Sequence, residues 1–180
     1  MGFVGDRKLY RLDPRPLGSG GQARVMKASH KRTGELVALK ETHDNEEARA
    51  RARREIEVQS AINDPHVMPV LDAAVDGSWY AMPQALGSLR DLQVRLGERQ
   101  LAEAIEHAAL GLRAAHKLGY VHRDVTPMNI LAFNEGGGYR WVIADFGLVR
   151  RPKGQTTTVR TPGVSPKSGH AEHAFGSSRA

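Results

Sequence analysis

The sequence predicts an α+β fold, with strands early in the chain and helices after them. Residues 9–40 alternate short apolar runs with glycine-containing turns, which is typical of antiparallel strands. Residues 45–62 and 99–119 are helical in composition. Further along, the strand-like segments 129–133 and 139–145 flank the turn NEGGG, which predicts a second hairpin.

The first half of the chain holds several strand signals. LVALK (36–40) alternates with period two and follows the turn signal KRTGE, so we expect a strand in a hairpin. Before it, GSGGQARV (18–25) predicts a glycine-rich turn between two short apolar segments. Residues 63–83 predict a loop, a strand, a turn and another strand.

Two segments predict helices of different character. In residues 45–62 the acids come early and the arginines later, as the helix dipole prefers, and we expect the arginines at 49–54 to form a solvated face. Residues 99–119 give the stronger pattern, and Gly119 is a plausible stop. The apolar stripe of this second helix comprises Leu101, Ile105, Ala108, Leu112 and Ala115.

Composition excludes several classes of protein. The 180 residues include no cysteine, so disulfides and thiolate metal sites are excluded. No apolar run reaches transmembrane length and no apolar signal core follows Met1, so we expect a cytoplasmic protein without a membrane segment.

The net charge of +6 is concentrated at one end of the chain. Residues 150–180 contain six Lys or Arg against one acid, whereas residues 1–149 contain 20 basic and 19 acidic residues. This distribution argues against a charged nucleic-acid-binding face. Residues 150–180 are also rich in Gly, Pro, Ser and Thr, which predicts loop or disorder.

The segment HRDVTPMN (122–129) is turn-like, because Pro127 removes a backbone donor and disfavours helical angles before it. Asn129 immediately precedes the first strand of the second hairpin, and Asp145 follows its second strand. Strand pairing should bring these two oxygen ligands together, an arrangement that suits Mg²⁺. Asp124 lies just upstream, close enough to act on a group held at that metal.

The N-terminal half supplies features of a phosphate site. Gly18, Gly20 and Gly21 would let backbone N–H groups approach a ligand closely. On LVALK, Ala38 and Lys40 share one face, which offers room for a flat ring and an ammonium for phosphates. Taken singly, the glycines fit an ordinary hairpin turn and Lys40 fits a solvated edge residue.

Together the motifs point further. In order, the chain carries GxGxxAxV (18–25), VALK (37–40), a helix with an internal glutamate, HRDxxxxN (122–129) and DFG (145–147). This set resembles the eukaryotic-like protein kinase family of Ser/Thr type, over about residues 9–161. His122 and Phe146 are expected to be buried structural links between the two motif loops.

The resemblance implies catalytic roles for Lys40, Asp124 and Asn129, and a metal-binding role for Asp145. Lys40 would bind the ATP phosphates and pair with Glu55, for which Glu57 is the alternative. Asp124 would accept or orient the proton of the substrate hydroxyl. Asn129 and Asp145 would hold Mg²⁺.

The resemblance also implies a nucleotide pocket. Val25 and Ala38 would sandwich the adenine ring, Met82 would guard the back of the pocket, and residues 83–85 would form the hinge. The expected nucleotide-binding set is Leu17, Gly18, Gly20, Val25, Ala38, Lys40, Glu55, Met82, Gln84 and Ala85.

The implied architecture is a bilobal protein-kinase-like fold. Its predicted parts are a β-rich N-lobe at 1–84, a partial, mainly helical C-lobe with the catalytic and metal loops at 85–150, and an activation-loop-like, disordered basic tail at 151–180. No APE motif follows DFG, so we expect a kinase truncated after the activation-loop region. A partner would then cover the exposed C-lobe face, including the stripe on residues 99–119.

The implied function is transfer of the ATP γ-phosphate to Ser or Thr hydroxyls of proteins. The alternative is a truncated kinase or pseudokinase that binds nucleotide or a partner without efficient catalysis. A small-molecule kinase related to the aminoglycoside phosphotransferases is disfavoured by Arg123 and by the DFG motif.

Three residues depart from the family pattern. Ala23 replaces the third glycine of the loop, which the family tolerates. Thr126 stands where these kinases usually have a lysine that reaches the transferred phosphate. Gln59 stands where the family usually packs an apolar residue, and a buried glutamine needs hydrogen-bond partners.

The threonines after DFG suggest regulation. Thr156, Thr157, Thr158 and Thr161 follow DFG at the distance expected of an activation loop. A phosphate on one of them would pair with Arg123 and order the loop. An unmodified, solvated threonine run is the alternative.

Overall fold

The structure is a computed structural model that describes residues 4–149. Five strands form one antiparallel sheet in the order β1-β2-β3-β5-β4. Their bounds are β1 Tyr10–Ser19, β2 Ala23–His30, β3 Leu36–Thr42, β4 Asp72–Ala73 and β5 Trp79–Pro83. The predicted strands of the first half of the chain are confirmed.

Alternation along β3 sets which side chains face the rest of the molecule. Val37 and Leu39 are buried on one side of the sheet with Tyr10 and Trp79. Ala38 belongs instead to a cluster on the opposite side. The face that the sequence predicts for Ala38 and Lys40 therefore points towards the remainder of the fold.

The first helix, α1, spans Glu46–Ala61. It begins where the side chain of Asn45 accepts a hydrogen bond of 2.8 Å from the backbone N–H of Ala48, which satisfies one of the free donors of the first turn. Glu46 and Glu47 in that turn complement the helix dipole. The predicted helix is confirmed within a residue at each end.

The second sheet has three antiparallel strands, β6 Gly87–Ser88, β7 Ile130–Glu135 and β8 Gly138–Ile143. The β7–β8 pairing confirms the hairpin around NEGGG. The short helix α2, Leu89–Leu92, follows β6 and was not predicted. Its local signal was a capping box, in which the Ser88 and Asp91 side chains each accept from the other's backbone N–H.

Helix α3 spans Glu98–Lys117. Gly119 follows two residues later with a φ of 77°, which glycine readily adopts, so the predicted stop is confirmed. The predicted stripe is only partly right. Ala108 and Ala115 are buried, but Ile105 is 66% exposed. The face that packs is made of small residues, namely Ala104, Ala108, Gly111 and Ala115.

Close backbone approach explains this difference. A Cβ atom at Gly111 would collide with the backbone carbonyl of His66 and would lie 2.8 Å from Cγ2 of Ile143. Only small side chains allow α3 to lie this near to β8 and to the loop before β4. The larger Leu101 and Leu112 flank the contact and are half-buried against the same core.

The two sheets are joined through the loop before β4. The backbone N–H of Ile143 donates to the carbonyl of His66, and the N–H of Met68 donates to the carbonyl of Ile143. An apolar cluster also spans both sheets, with Ala38 and Met82 from the first and Val142 from β8. The α+β, two-lobed arrangement is confirmed.

The boundaries of the predicted parts stay predictions. The predicted tail at 151–180 and the four threonines after DFG lie outside the described residues. Within residues 4–149, no helix combines the length and the apolarity needed to cross a membrane.

Candidate active site

A cleft of about 690 Å³ lies between the two sheets, a volume suited to a nucleotide-sized ligand. Apolar side chains from both sheets form its walls, and four polar side chains converge at one end. The lining includes Leu17, Gly18, Val25, Ala38, Met82, Ala85, Leu131 and Ala144, with Lys40, Glu55, Asn129 and Asp145 as the polar group. Gly20 and Gly21 line the adjoining space under the β1–β2 turn.

An ion pair between β3 and α1 organises the polar end. Nζ of Lys40 lies 2.9 and 3.1 Å from the two carboxylate oxygens of Glu55, which is only 2% exposed. Burial acts to lower the pKa of Lys40, but the charges of Glu55 and Asp145 outweigh it, so the pKa lies above its ordinary value. Glu57, the alternative partner, is exposed. The structure thus pairs Lys40 with Glu55.

Tyr80 packs beneath this ion pair. Its ring centroid lies 5.6 Å from Nζ of Lys40, and strand pairing places it opposite Lys40. Burial, followed by the charge and hydrogen bond of Glu55, raises the pKa of Tyr80 well above its ordinary value. The sequence pattern does not predict this contact; it indicates only an aromatic residue in the strand that forms β5.

Asp145 sits in an unusual backbone conformation beside the ion pair. Its φ of 63° is left-handed, and its Oδ1 atom lies 3.6 Å from Nζ of Lys40. The same oxygen accepts a long hydrogen bond of 3.4 Å from the N–H of Gly147. Left-handed non-glycine residues are uncommon and cluster at functional sites. Within residues 4–149 the other one is Arg123, next to Asp124.

Hydrogen bonds fix the loop before β7. Nδ2 of Asn129 donates to the backbone carbonyl of Asp124 at 2.9 Å and to its Oδ2 atom at 3.2 Å. The backbone N–H of Asp124 donates to Nδ1 of His122, and Nε2 of His122 donates to the carbonyl of Ala144. These two bonds together require the His122 tautomer that is protonated on Nε2.

His122 and Phe146 are the buried links that the sequence predicts. His122 is 1% exposed, Phe146 is fully buried, and their ring centroids lie 4.5 Å apart. They connect the loop that carries Asp124 to the loop that carries Asp145. Because the two rings are closely packed, movement of either loop would displace the other.

The oxygen ligands of the site fit Mg²⁺. The backbone N–H of Ala144 donates to the carbonyl of Asn129 at 2.8 Å, so pairing continues past β7 and β8 and brings Asn129 and Asp145 to one cleft. Because Nδ2 of Asn129 is turned to Asp124, its amide oxygen is left to act as a ligand. In the described part of the chain, no cluster of three or more His, Cys, Asp or Glu side chains could hold a metal alone. That donor set suits an ion completed by water and phosphate.

Two predicted site residues lie beside the cleft rather than in its lining. Asp124 reaches the site through its hydrogen bond with Asn129. Gln84 is flanked by the lining residues Pro83 and Ala85, but its own Oε1 atom is buried without a hydrogen-bond partner in the described part of the chain.

Arg51 lies in a different place from the one that its sequence context predicts. The helix arginines were expected to be solvated, yet Arg51 is half-buried and lines the space below the β1–β2 turn together with Lys40. The other arginines agree with the expectation: Arg54 is exposed, and Arg49 and Arg53 form surface ion pairs with Asp44, Asp76 and Glu46.

The sequence model of the protein kinase domain matches residues 12–167. The chain belongs to the protein kinase family. The resemblance drawn from the motifs is thereby confirmed, and members of this family generally use ATP and Mg²⁺. The roles of individual residues stay predictions.

Several curated protein kinases are similar to this chain. The serine/threonine-protein kinase PknD of Mycobacterium tuberculosis is 34% identical over 156 residues, which cover 81% of this chain and 22% of PknD. The DNA damage-responsive serine/threonine-protein kinase RqkA of Deinococcus radiodurans is 36% identical over 162 residues, covering 83% and 23%. The human dual specificity testis-specific protein kinase 2 is 29% identical over 153 residues, covering 80% and 27%. The chain therefore spans about a quarter of the length of these relatives.

Proposed function

We propose that this protein transfers the γ-phosphate of ATP to Ser or Thr hydroxyls of proteins, with Mg²⁺ as the metal. One observation carries the proposal: β3, α1 and the loop after β8 bring Lys40, Glu55 and Asp145 within contact distance at the polar end of the cleft. Such an arrangement supplies the positioning and charge neutralisation that phosphoryl transfer needs. The names of the bacterial relatives favour Ser and Thr as acceptors.

Each polar residue has a separate task in this proposal. Lys40 donates hydrogen bonds to nucleotide phosphates, and Glu55 holds its ammonium in place. Asn129 and Asp145 hold Mg²⁺, which neutralises phosphate charge when bound. The Asp124 carboxylate, oriented by Asn129, accepts the proton of the incoming hydroxyl.

Removing charge at the site should abolish transfer. We expect Lys40→Met and Asp145→Asn each to lower the rate by a factor on the order of 10² to 10³, as for other electrostatic catalytic groups. The measurement is ³²P transfer from Mg·ATP to a generic basic protein. Lys31→Met, which removes an exposed charge from the β2–β3 turn, is the matched control. Activity like that of the unmodified protein in either site variant would overturn the assignment.

A second function, nucleotide binding without efficient transfer, is favoured by Gln59. This residue is buried behind the site on α1, and its Oε1 atom has no hydrogen-bond partner within residues 4–149. Such a group favours movement of the helix that carries Glu55. Thr126, which stands where the family usually has a lysine, also favours nucleotide binding without efficient transfer. Binding of Mg·ATP at the expected site, with no transfer to any Ser- or Thr-containing protein, would support this alternative.

Cytoplasmic location and a partner on the exposed face of α3 are further parts of the proposal. A partner there would cover Ile105. Replacing Ile105 with Asp should weaken capture of such a partner while leaving nucleotide binding unchanged.

A further inference from the structure

Arg51 occupies a special position on α1. It lies four residues before Glu55, so the two side chains project from the same face of the helix, one turn apart. Ala48 and Ala52 on either side of it are buried and small, and both line the same space. The first half of α1 therefore presents one long side chain to the cleft between two short ones.

The side chain of Arg51 lies across the loop that carries Asp145. A Cβ atom at Gly147 would come within 2.6 Å of Nε of Arg51 and within 3.2 Å of its Cγ atom. Gly147 thus leaves the room that the arginine stem occupies. The guanidinium is held beside the metal loop rather than extending into solvent.

Arg51 has no directly bonded acidic partner in the described part of the chain. Its neighbours Arg49 and Arg53 have acidic partners at 2.5 to 3.0 Å, whereas within residues 4–149 Arg51 forms neither an ion pair nor a hydrogen bond. The nearby carboxylates of Glu55 and Asp145 are both directed at Lys40. Arg51 is close enough to Lys40 for its charge to oppose protonation of that lysine and lower its pKa, though the nearby carboxylates prevail.

Two cations therefore face the space under the glycine turn. Lys40 and Arg51 line it together with the backbone of Gly18, Gly20 and Gly21. Backbone N–H groups and a planar guanidinium both donate hydrogen bonds to phosphate oxygens, and the guanidinium can do so in a bidentate manner. An anion that entered this space from the apolar part of the cleft would meet Lys40 first and Arg51 beyond it.

We propose that Arg51 binds the terminal phosphate of the nucleotide from the α1 side of the cleft. The inference rests on the proposed function, because it takes ATP as the ligand. It predicts that binding energy from Arg51 rises with the number of phosphates on the nucleotide. It also explains why a half-buried arginine is tolerated on α1 without an acidic partner among the described residues.

The test compares Arg51→Met with Arg54→Met by calorimetry on the purified protein, using Mg·ATP, Mg·ADP and adenosine. Methionine keeps an apolar stem over Gly147 and removes the charge. Arg54 is exposed on the same helix and does not line the cleft, so its variant removes the same charge elsewhere. We expect Arg51→Met to weaken ATP binding about tenfold, ADP binding less and adenosine binding hardly at all. Arg54→Met should leave all three unchanged.

Two further measurements separate electrostatics from structure. The difference between the unmodified protein and Arg51→Met should shrink as salt is added, and Arg51→Lys should retain part of the lost ATP affinity. Equal weakening of all three ligands, or equal effects of the two methionine variants, would overturn the inference while leaving the proposed function intact. Failure of the unmodified protein to bind Mg·ATP would overturn both.

Discussion

At the scale of single residues, the site depends on groups whose charge is fixed by their surroundings. Lys40 is protonated because two carboxylates outweigh the cost of its burial. Sequence alone predicts Lys40, Asn129 and Asp145, since strand alternation and hairpin pairing fix where they lie. It does not predict Arg51 or Tyr80 as part of the site, because their positions depend on how α1 packs against the sheet.

Tyr10 offers a titration that can be checked. It is buried, and its hydroxyl donates to Oδ2 of Asp72 at 3.1 Å. Burial first, and then the charge and hydrogen bond of Asp72, raise the pKa of Tyr10 to about 12. Because the folded protein favours the protonated phenol, this contribution to stability is present below the unfolded pKa of about 10 and is lost as the pH rises through about 12.

We therefore expect the free energy of unfolding to fall more steeply between these two pKa values in the unmodified protein than in Tyr10→Phe. Urea denaturation at a series of alkaline pH values measures both curves. Other alkaline titrations, including that of Tyr80, are shared by the two proteins and cancel in the difference. Parallel curves would show that folding does not raise the pKa of Tyr10.

At the scale of elements, local signals predict those helices and strands that carry their own start and stop. Asn45 and Gly119 mark helix ends by capping. The alternation of β3 and the NEGGG turn between β7 and β8 are evident from the order of residues. β6 and α2 were missed because two and four residues carry too little periodicity. The predicted stripe of α3 was wrong at Ile105 and omitted Ala104 and Gly111, because the distant backbone carbonyl of His66 selects small residues on the packed face.

Gly111 provides a direct test of that explanation. Alanine is normally better than glycine in a helix by about 1 kcal/mol. At Gly111, however, the added methyl would meet the His66 backbone and Ile143, so we expect Gly111→Ala to destabilise the protein by about 1–3 kcal/mol. Ile105→Ala on the exposed side of α3 should cost less than about 0.5 kcal/mol. Chemical denaturation measures the free energy of unfolding of both variants. A Gly111→Ala protein more stable than the unmodified protein would contradict the close packing.

Gln59 tests how firmly α1 is held. Its Nε2 atom donates to the carbonyl of Met68 at 2.9 Å, while its Oε1 atom has no hydrogen-bond partner in the described part of the chain. Gln59→Met would remove that oxygen but leave the Met68 carbonyl unpaired, so the two polar costs largely offset each other. Burial of the apolar methionine side chain adds a favourable contribution. We therefore expect a free energy of unfolding equal to that of the unmodified protein or higher by about 1 kcal/mol.

The control at this position is Gln59→Ala, which leaves a cavity. It should be less stable than Gln59→Met by about 2–5 kcal/mol. If Gln59→Met proves as damaging as Gln59→Ala, the single hydrogen bond to Met68 is what anchors α1, and the unpaired oxygen is of no consequence.

At the scale of the whole molecule, the polar end of the cleft lies where the two sheets meet. Lys40 belongs to the first sheet, Asn129 and Asp145 border the second, and α1 contacts both through Glu55 and through the loop containing Gly147. A ligand that holds phosphates with Lys40 and a metal with Asn129 and Asp145 would tie the two sheets together. Nucleotide binding and global stability should therefore be coupled.

We accordingly expect Mg·ATP to raise the unfolding midpoint of the protein. A ligand at 100 times its dissociation constant adds about 2.7 kcal/mol of stability, which corresponds to a shift on the order of 5–10 °C for a chain of this size. ATP with EDTA should give a smaller shift, because Asn129 and Asp145 then contribute no metal-mediated contact. Lys40→Met should lose most of the shift, whereas Lys31→Met should keep it. Thermal unfolding followed by calorimetry measures all four, and an equal shift with and without Mg²⁺ would show that these two oxygen ligands do not hold the metal.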